Sequence, residues 1–177
     1  MNYLENDIIK LRAPEPSDLD LLYKWENDTE TWISGNTLTP FSRHILAKYI
    51  ETAHLDIFET SQLRLMIDLK SDNMRTLGSI DLFDFDSFNR RAGVGILIAE
   101  KADRGKGYAR EALKVLVVYC FELLGMHQLY CNIESDNKAS LNLFKNQGFQ
   151  IIGLKKDWLL RKNKYADEYL LQLINKI

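Results

Sequence analysis

The sequence predicts one α+β domain over residues 1–177, built on a mixed, mostly antiparallel sheet of about seven strands with about four flanking helices. Three observations carry this prediction. A chain of 177 residues has the size of one compact domain. Three apolar segments joined by short polar turns follow one another in the middle of the chain, which is typical of an antiparallel meander. After them, helical and extended patterns alternate until the chain ends in an apolar strand.

The first quarter of the chain predicts a strand followed by two helices. The strand spans residues 8–12, and Ser17 or Asp18 is expected to cap the first helix. The second helix begins after Ser42, where apolar residues recur at helical spacing. Between the two helices, residues 32–40 are rich in Ser, Thr, Asn and Gly, and this composition predicts a loop.

The rest of the chain supplies six strands and two helices. The longest helix has apolar residues at every third or fourth position, which indicates one buried stripe, and Gly125 is expected to end it. A shorter helix near the C-terminus is expected to end at Gly148. In chain order the predicted elements are strands at 63–69, 78–83 and 94–98, a helix at 108–124, a strand at 128–133, a helix at 138–147, a strand from Phe149 and a strand at 168–174.

Composition and charge exclude several classes of protein. Hydrophobic residues make up 46% and charged residues 27%, as in ordinary globular domains. The formal net charge of −2 generates no field that would recruit nucleic acid or an anionic membrane. Two cysteines without a CxxC pattern and three scattered histidines predict reduced thiols and no metal site. With no apolar stretch of membrane-spanning length and no signal peptide, we expect a cytoplasmic protein without nucleic-acid or membrane partners.

The most informative segment is Arg104-Gly105-Lys106-Gly107-Tyr108-Ala109-Arg110, which opens the long helix. Unpaired N–H groups and partial positive charge at a helix start attract a phosphate group. Gly105 and Gly107 allow the backbone to approach a ligand, and Arg104, Lys106 and Arg110 add three cations. A phosphate-binding loop is therefore predicted, with a solvated turn as the alternative. A Walker A loop is excluded because Gly107, rather than Ser or Thr, follows Lys106.

Two motifs make the chain resemble the GNAT N-acetyltransferases. Residues 104–109 have the Arg-x-x-Gly-x-Ala pattern of that family's pyrophosphate loop, and residues 136–149 are similar to its Asn-x-x-Ala/Ser…Tyr-x-x-x-Gly-Phe segment. The resemblance covers nearly the whole chain. Arg90-Arg91-Ala92 looks most like the subgroup that contains spermidine acetyltransferases and ribosomal-protein N-terminal acetyltransferases. The resemblance to the family implies a GNAT-like fold. It also implies an enzyme that moves the acetyl group from acetyl-CoA to a primary amine by direct attack of the amine.

The resemblance also implies where acetyl-CoA binds. Residues 104–110 would hold the pyrophosphate with backbone groups, and a splayed strand end would pair with the pantetheine arm. The N–H of Ala99 would stabilise the oxyanion, and Asn137 would contact the pantetheine while capping its helix. Gly93 and Gly95 indicate either a bulge or close backbone approach, or a weakened edge strand. The implied cofactor-binding residues are Leu97, Ile98, Ala99, Arg104, Gly105, Lys106, Gly107, Tyr108, Ala109, Arg110 and Asn137.

Two positions depart from the proton-transfer residues of the family. Phe144 replaces a tyrosine that protonates the leaving thiolate in many members, and Gly93 replaces a frequent glutamate. Phe144 is expected to pack in the core, and Ser140, one turn earlier, offers the nearest hydroxyl. The favoured alternative is that the sulfur leaves as thiolate, stabilised by a helix N-terminus.

The acceptor is expected to be a small polyamine or another primary amine. Asp81 aligns with an acidic position that faces the polyamine in spermidine acetyltransferases, and Asp84 and Glu26 are further candidates to take the amine's proton through water. A solvated strand face is the alternative for the acids between 81 and 86. A protein N-terminus ranks second and an amino sugar third as acceptor, and a non-catalytic acyl-CoA-binding module is the rival function. The apolar strand at 168–174 either pairs across a homodimer or closes its own sheet.

Overall fold

A computed structural model of the chain describes residues 2–35, 37–53 and 57–176. The chain forms two compact units. One unit contains the first twelve residues together with residues 57–177, and the other contains residues 13–56. Within the described residues, none of the helices has both the length and the apolar character needed to cross a lipid bilayer.

The unit of residues 13–56 is helical. Ser42 caps its third helix as predicted, because the Ser42 hydroxyl accepts the N–H of Ile45 at 3.2 Å. Asp18 precedes the first helix, but its carboxylate accepts the N–H of Glu15 at 2.7 Å within a 3₁₀ turn. The helices are α1 (Leu19–Glu26), α2 (Thr29–Gly35) and α3 (Arg43–Thr52).

The loop predicted over residues 32–40 is wrong in its first part, which α2 occupies; residue 36 lies outside the described residues. The Asp28 carboxylate accepts the N–H of Glu30 at 3.0 Å, a side-chain bond at the start of α2. The indole N–H of Trp32 donates to the carbonyl of Glu26 at 2.7 Å and ties α2 to the end of α1. These bonds stabilise a helix in a segment whose composition favours a loop.

The other unit contains the seven-stranded mixed sheet that the sequence predicts. Strand order is β1-β2-β3-β4-β5-β7-β6, and every neighbouring pair is antiparallel except β4 with β5. The described chain has six α-helices where about four were predicted, and the two additional ones are the short α2 and α4. The elements of this unit are β1 (Ile9–Arg12), α4 (Ile57–Thr60), β2 (Leu63–Leu69), β3 (Arg75–Asp86), β4 (Arg91–Ile98), α5 (Tyr108–Val118), β5 (Gln128–Glu134), α6 (Lys138–Asn146), β6 (Gln150–Arg161) and β7 (Lys164–Ile174).

The long helix predicted over 108–124 changes its hydrogen-bond pattern near the end. Regular α-helix stops at Val118, and Tyr119–Leu123 forms a wider π-type turn in which the N–H of Leu124 donates to the carbonyl of Tyr119. Gly125 follows with a φ of 63°, which confirms the predicted helix stop. Gly148, with a φ of 90°, ends α6 in the same way.

The hairpin of β6 and β7 is longer than the sequence predicts. β5 pairs with β7 only over residues 168–174, the length predicted for the last strand. Beyond that point β6 and β7 continue together to the turn between Arg161 and Lys164. This part of the hairpin was missed because its pairing shifts between Lys155 and Leu159 and its sequence shows no regular alternation.

A stripe of α5 supplies much of the core. Leu113, Leu116 and Cys120 are each fully buried and belong to the same cluster as the strand residues Ile80 and Leu129. Burial raises the pKa of the Cys120 thiol to about 12, so the thiol stays protonated. The predicted buried stripe is confirmed, and Cys120 serves as packing.

Leu113→Ala tests this stripe. Leu113 is 0% exposed, so the substitution removes buried methyl groups and leaves a cavity, and we expect a loss of about 3 kcal/mol in the free energy of unfolding. Leu123, on the turn that ends the same helix, is 55% exposed, and Leu123→Ala should cost less than about 1 kcal/mol. Urea unfolding of both variants measures the difference, and equal losses would contradict the assignment.

Candidate active site

The site is organised by an opening between β4 and β5. These parallel strands pair at only three positions, Arg91 with Gln128, Ala92 with Leu129 and Gly93 with Tyr130. β4 continues to Ile98 and β5 to Glu134, and the register between them ends at Gly93 and Tyr130. Backbone groups on the later part of β4 therefore face an open wedge instead of a neighbouring strand, and an extended ligand can pair with them.

Alternation along β4 decides which N–H groups face the wedge. The N–H of Ala99 donates to the carbonyl of Leu77 on β3 at 2.9 Å, so the expectation that it stabilises an oxyanion is wrong. Successive N–H groups of a strand point to opposite sides, and Leu97 shares the side of Ala99. The N–H groups of Ile98 and Ile96 consequently face the wedge.

The loop before α5 has the backbone geometry that the sequence predicts. Gly105 and Gly107 have φ values of 77° and 88°, in the left-handed region, and Gly107 immediately precedes the first residue of α5. A Cβ added at either glycine would meet no atom within 4 Å, so this stretch of backbone is open. The first-turn N–H groups of α5 lack acceptors within the helix. Lys106 and Arg110 are exposed beside them, so the loop can bind an anion.

Arg104 has a different role from the one expected. Its Nε donates to the carbonyl of Ile98 at 2.9 Å, and its Nη2 donates to the carbonyl of Ala99 at 2.9 Å. The side chain that was predicted to add a cation for the phosphate therefore holds the end of β4. The other two cations of the segment, Lys106 and Arg110, are also exposed.

A buried carboxylate lies directly before the loop. Asp103 is 5% exposed, and the Arg75 guanidinium of β3 binds it with both terminal nitrogens at 2.8 and 3.1 Å. Lys106 Nζ lies 3.6 Å from the same carboxylate. The hydrogen bonds from Arg75 hold the pKa of Asp103 below its ordinary value, although burial acts in the opposite direction. Nothing in the sequence motif identified this pair.

The start of α6 agrees with the sequence prediction. The Asn137 side-chain oxygen accepts the N–H of Ser140 at 3.1 Å, so Asn137 is the N-cap. Ser140 is half-buried in the first turn. Phe144 is 3% exposed and packs edge-to-face on Phe149 with ring centroids 5.0 Å apart, which confirms its expected place in the core. This helix therefore presents a hydroxyl at Ser140 and no titratable group at position 144.

The absence of a side chain at Gly93 has a structural cause. A Cβ at this position would lie 2.2 Å from the Phe83 ring, so close approach is the interpretation that holds. The Phe83 ring in turn meets the Tyr130 ring edge-to-face, with centroids 5.9 Å apart. An aromatic pair thus fills the space beside Gly93, at the point where β4 and β5 separate.

Tyr130 binds the Asp84 carboxylate close to the place where β4 and β5 separate. The Tyr130 hydroxyl donates to Asp84 at 3.1 Å. Burial is the larger cause that raises the pKa of Tyr130 to about 12, and the Asp84 carboxylate is the second. Asp84 lies where the register of β3 and β4 shifts, with a φ of 49°, and such irregularities redirect a side chain. The sequence named Asp84 as a candidate, but Tyr130 stands inside an ordinary strand pattern and gave no signal.

Asp84 and Tyr130 line a cavity of about 640 Å³ with Asp86, Arg91, Gln128, Ile152, Leu170 and Gln172. Backbone and side-chain hydrogen bonds from Asn89 lower the pKa of Asp86, which also contacts Arg91 at 3.2 Å. Asp86 is therefore ionised at neutral pH. The lining includes two carboxylates, one of which contacts Arg91, and two aliphatic side chains, Ile152 and Leu170.

Asp81 does not belong to this cavity. The Arg64 guanidinium binds its carboxylate through Nε at 2.7 Å and Nη2 at 3.2 Å. A carboxylate held by arginine in this way has its charge already compensated, so it is a weak attractor for an ammonium group. The expectation that Asp81 faces the amine stays a prediction, and Asp84 lines the cavity where Asp81 does not.

The fold is that of an acetyltransferase. The crystal structure of spermidine N-acetyltransferase from Vibrio cholerae in complex with CoA and spermine matches with a TM-score of 0.84, at 21% identity over 96% of both chains. The family model for the Acetyltransferase (GNAT) domain matches residues 9–150. The chain therefore belongs to the GNAT family and is an acetyl-CoA-dependent N-acetyltransferase, which confirms the resemblance seen in the sequence.

Two sequence relatives match nearly the whole chain. An uncharacterized N-acetyltransferase of Bacillus licheniformis is 26% identical over 176 residues, covering 99% of this chain and 98% of the relative. Spermidine N(1)-acetyltransferase of Vibrio cholerae is 24% identical over 173 residues, covering 94% of this chain and 95% of the relative. Within the described residues, no group of three or more His, Cys, Asp or Glu side chains is placed to hold a metal ion.

The Asp103–Arg75 pair predicts a pH-dependent contribution to stability. The folded-state pKa of Asp103 lies below the unfolded value of ~3.9. The contribution is therefore complete above that value and is lost as the pH falls through the lower folded pKa. We expect Asp103→Asn to be less stable than the unaltered chain at pH 7, with a difference that shrinks toward pH 3.

Urea unfolding between pH 7 and pH 3 measures this difference. The matched variant is Asp20→Asn, which removes a carboxylate from an exposed ion pair with Arg43 and should cost little stability at pH 7. A difference for Asp103→Asn that stays constant down to pH 3 would show that the carboxylate is not stabilised by Arg75.

Proposed function

We propose that this enzyme acetylates a primary amine of a polyamine-like cation, with the ammonium groups drawn to the cavity that contains Asp84 and Asp86. The observation that carries the proposal is the position of this cavity, which begins at Tyr130, where β4 and β5 part. Arg91 contacts Asp86 there, so Asp84 is the carboxylate whose charge is available to the amine. The names of the relatives, which include spermidine N-acetyltransferases, support the same class of acceptor.

Acetyl-CoA binding is proposed along the wedge and the loop. The backbone N–H groups of residues 105–110 hold the diphosphate, helped by Lys106 and Arg110. The pantetheine arm lies along Leu97, Ile98 and Ala99, and Asn137 contacts it from α6. Support comes from the left-handed glycines, the open backbone at Gly105 and Gly107, and the unpaired edge of β4.

Asp84 is the proposed binding group for the reacting amine. The Tyr130 hydroxyl occupies one of its carboxylate oxygens, and no partner of the other oxygen occurs among the described residues. A polyamine ammonium has a reference pKa near ~10.4 and is charged at neutral pH, so a carboxylate both attracts it and takes its proton, directly or through water. Tyr130, with its raised pKa, remains a hydrogen-bond donor throughout and orients the carboxylate.

The chemical step relies on orientation and on backbone donors. The amine nitrogen forms a bond to the thioester carbonyl carbon while the C–S bond breaks, and the sulfur leaves as thiolate. The N–H groups of Ile98 and Ile96 face the developing oxyanion. Ser140 is the proposed hydrogen-bond donor near the sulfur, because Phe144 cannot supply a proton.

Asp84→Asn tests the acceptor. Losing a charged hydrogen-bond partner costs about 1.5 kcal/mol or more, so we expect the KM for spermidine to rise about tenfold. The KM for acetyl-CoA should stay within about twofold, because Asp84 is remote from the loop in the proposed arrangement. Thiol release at varied spermidine concentration measures both constants. The matched control is Asp7→Asn, which changes the net charge equally at an exposed position.

The same assay separates the rival functions. Amine-dependent thiol release with spermidine, and none with a peptide N-terminus, supports the proposal. Acetylation of the peptide alone overturns the polyamine assignment. Tight CoA binding without thiol release for any amine would make the chain a binding module and would overturn catalysis as well.

A further inference from the structure

We infer that Asp103 and Arg75 are positioning residues for acetyl-CoA, because the ion pair between the buried Asp103 carboxylate and the Arg75 guanidinium fixes the loop whose backbone holds the diphosphate. The inference rests on the proposed function, which places the diphosphate at residues 105–110. It assigns a role in cofactor affinity to two residues outside the recognised motif.

The binding part of the loop has little to hold its shape. Gly105 and Gly107 have no side chains, the space beside them is open, and Lys106 is exposed. Left-handed glycines are the most flexible positions a chain can have, and an exposed backbone gains nothing from packing. The conformation of the loop must therefore be set by the residues on either side of it.

Asp103 supplies the anchor on the N-terminal side. It ends a 3₁₀ turn, Lys101–Asp103, in which the N–H of Asp103 donates to Glu100 at 3.0 Å and the N–H of Arg104 donates to Lys101 at 3.2 Å. Its carboxylate points into the protein, where Arg75 binds it at 2.8 and 3.1 Å. A bidentate bond between a planar guanidinium and a carboxylate restricts their relative geometry, so the pair limits the direction of the chain as it enters the loop.

Arg75 ties this anchor to the sheet. It is the first residue of β3, and its Nε also donates to Asp72 in the preceding turn. Arg104 adds a second tie, because its guanidinium holds the carbonyls of Ile98 and Ala99.

 Each of the two carbonyls, on Ile98 and Ala99, accepts a hydrogen bond from the Arg104 guanidinium at 2.9 Å. The loop is thus fastened to β3 through Asp103 and to β4 through Arg104.

The charges of Asp103 and Arg75 also affect the electrostatics of the diphosphate site. An ionised Asp103 directly before the loop repels a bound diphosphate unless its charge is compensated. Arg75 compensates it, and Lys106 contributes from 3.6 Å on the other side. Removing Arg75 therefore has two effects, since it frees the loop and leaves a buried carboxylate unpaired close to an anion.

The two effects predict a specific pattern among four variants. Arg75→Gln should weaken CoA binding about tenfold or more, and Asp103→Asn should weaken it about fivefold, because only the anchor is lost. The double variant Arg75→Gln with Asp103→Asn should bind CoA better than Arg75→Gln alone, since no unpaired carboxylate remains. Arg75→Lys keeps the charge without the fork and should fall between Arg75→Gln and the unaltered chain.

Titration calorimetry with CoA measures these affinities, and steady-state kinetics separates a positioning role from general destabilisation. The KM for acetyl-CoA should rise in step with the Kd for CoA, while the KM for spermidine and kcat at saturation stay within about twofold. The matched control is Arg12→Gln, which breaks an ion pair of the same kind at 2.6 Å between Arg12 and the buried Asp68. It should lower the melting temperature without changing the affinity for CoA.

Each result supports or overturns the inference. Unchanged CoA affinity in Arg75→Gln and Asp103→Asn, with normal binding by the unaltered chain, overturns the inference alone. A loss in Arg75→Gln but not in Asp103→Asn would make Arg75 a direct phosphate ligand, which also overturns the positioning role. Failure of the unaltered chain to bind CoA would overturn the proposed function and the inference together. If Arg75→Gln does not fold, Arg75→Lys and Asp103→Asn decide the matter.

Discussion

The interrupted pairing of β4 and β5 is the constraint on which the rest of the site depends. Three paired positions hold the strands together, and beyond Gly93 and Tyr130 each strand continues without the other. A parallel pair that separates exposes one row of backbone donors and acceptors, which in a closed sheet would be satisfied internally. The wedge, the loop at its open end and the cavity at its closed end are all consequences of this separation.

Charge is distributed along the wedge in a way that suits two substrates of opposite sign. The open end has the N-terminus of α5 with Lys106 and Arg110, and the closed end has Asp84 and Asp86. The formal net charge of the chain is only −2, so this separation is local and owes nothing to a global excess. In the proposed function it guides an anionic cofactor and a cationic amine to opposite sides of the same thioester.

The departures from the family pattern are linked to one another. Gly93 has no side chain because the Phe83 ring covers it, and that ring packs on Tyr130, whose hydroxyl holds Asp84. β4 therefore has no acid at position 93, and the carboxylate beside Tyr130 comes from β3. On α6, Phe144 belongs to the core. In the proposed function, proton transfer from the amine therefore falls to groups on the strands and not to the helix.

Local signals in the sequence were sufficient for the seven strands, for the caps at Ser42 and Asn137, and for the helix stops at Gly125 and Gly148, because each depends on residues a few positions apart. The open loop before α5 was predictable for the same reason. The partners of side chains and N–H groups were not, because they come from distant parts of the chain. Arg104 binds the end of β4, Asp81 pairs with Arg64, and Tyr130 binds Asp84. Each of these contacts exists only because the strands lie side by side in the folded sheet. Which polar group stays available for a ligand is decided by that assembly, since every bond made within the sheet removes a donor or acceptor from the site.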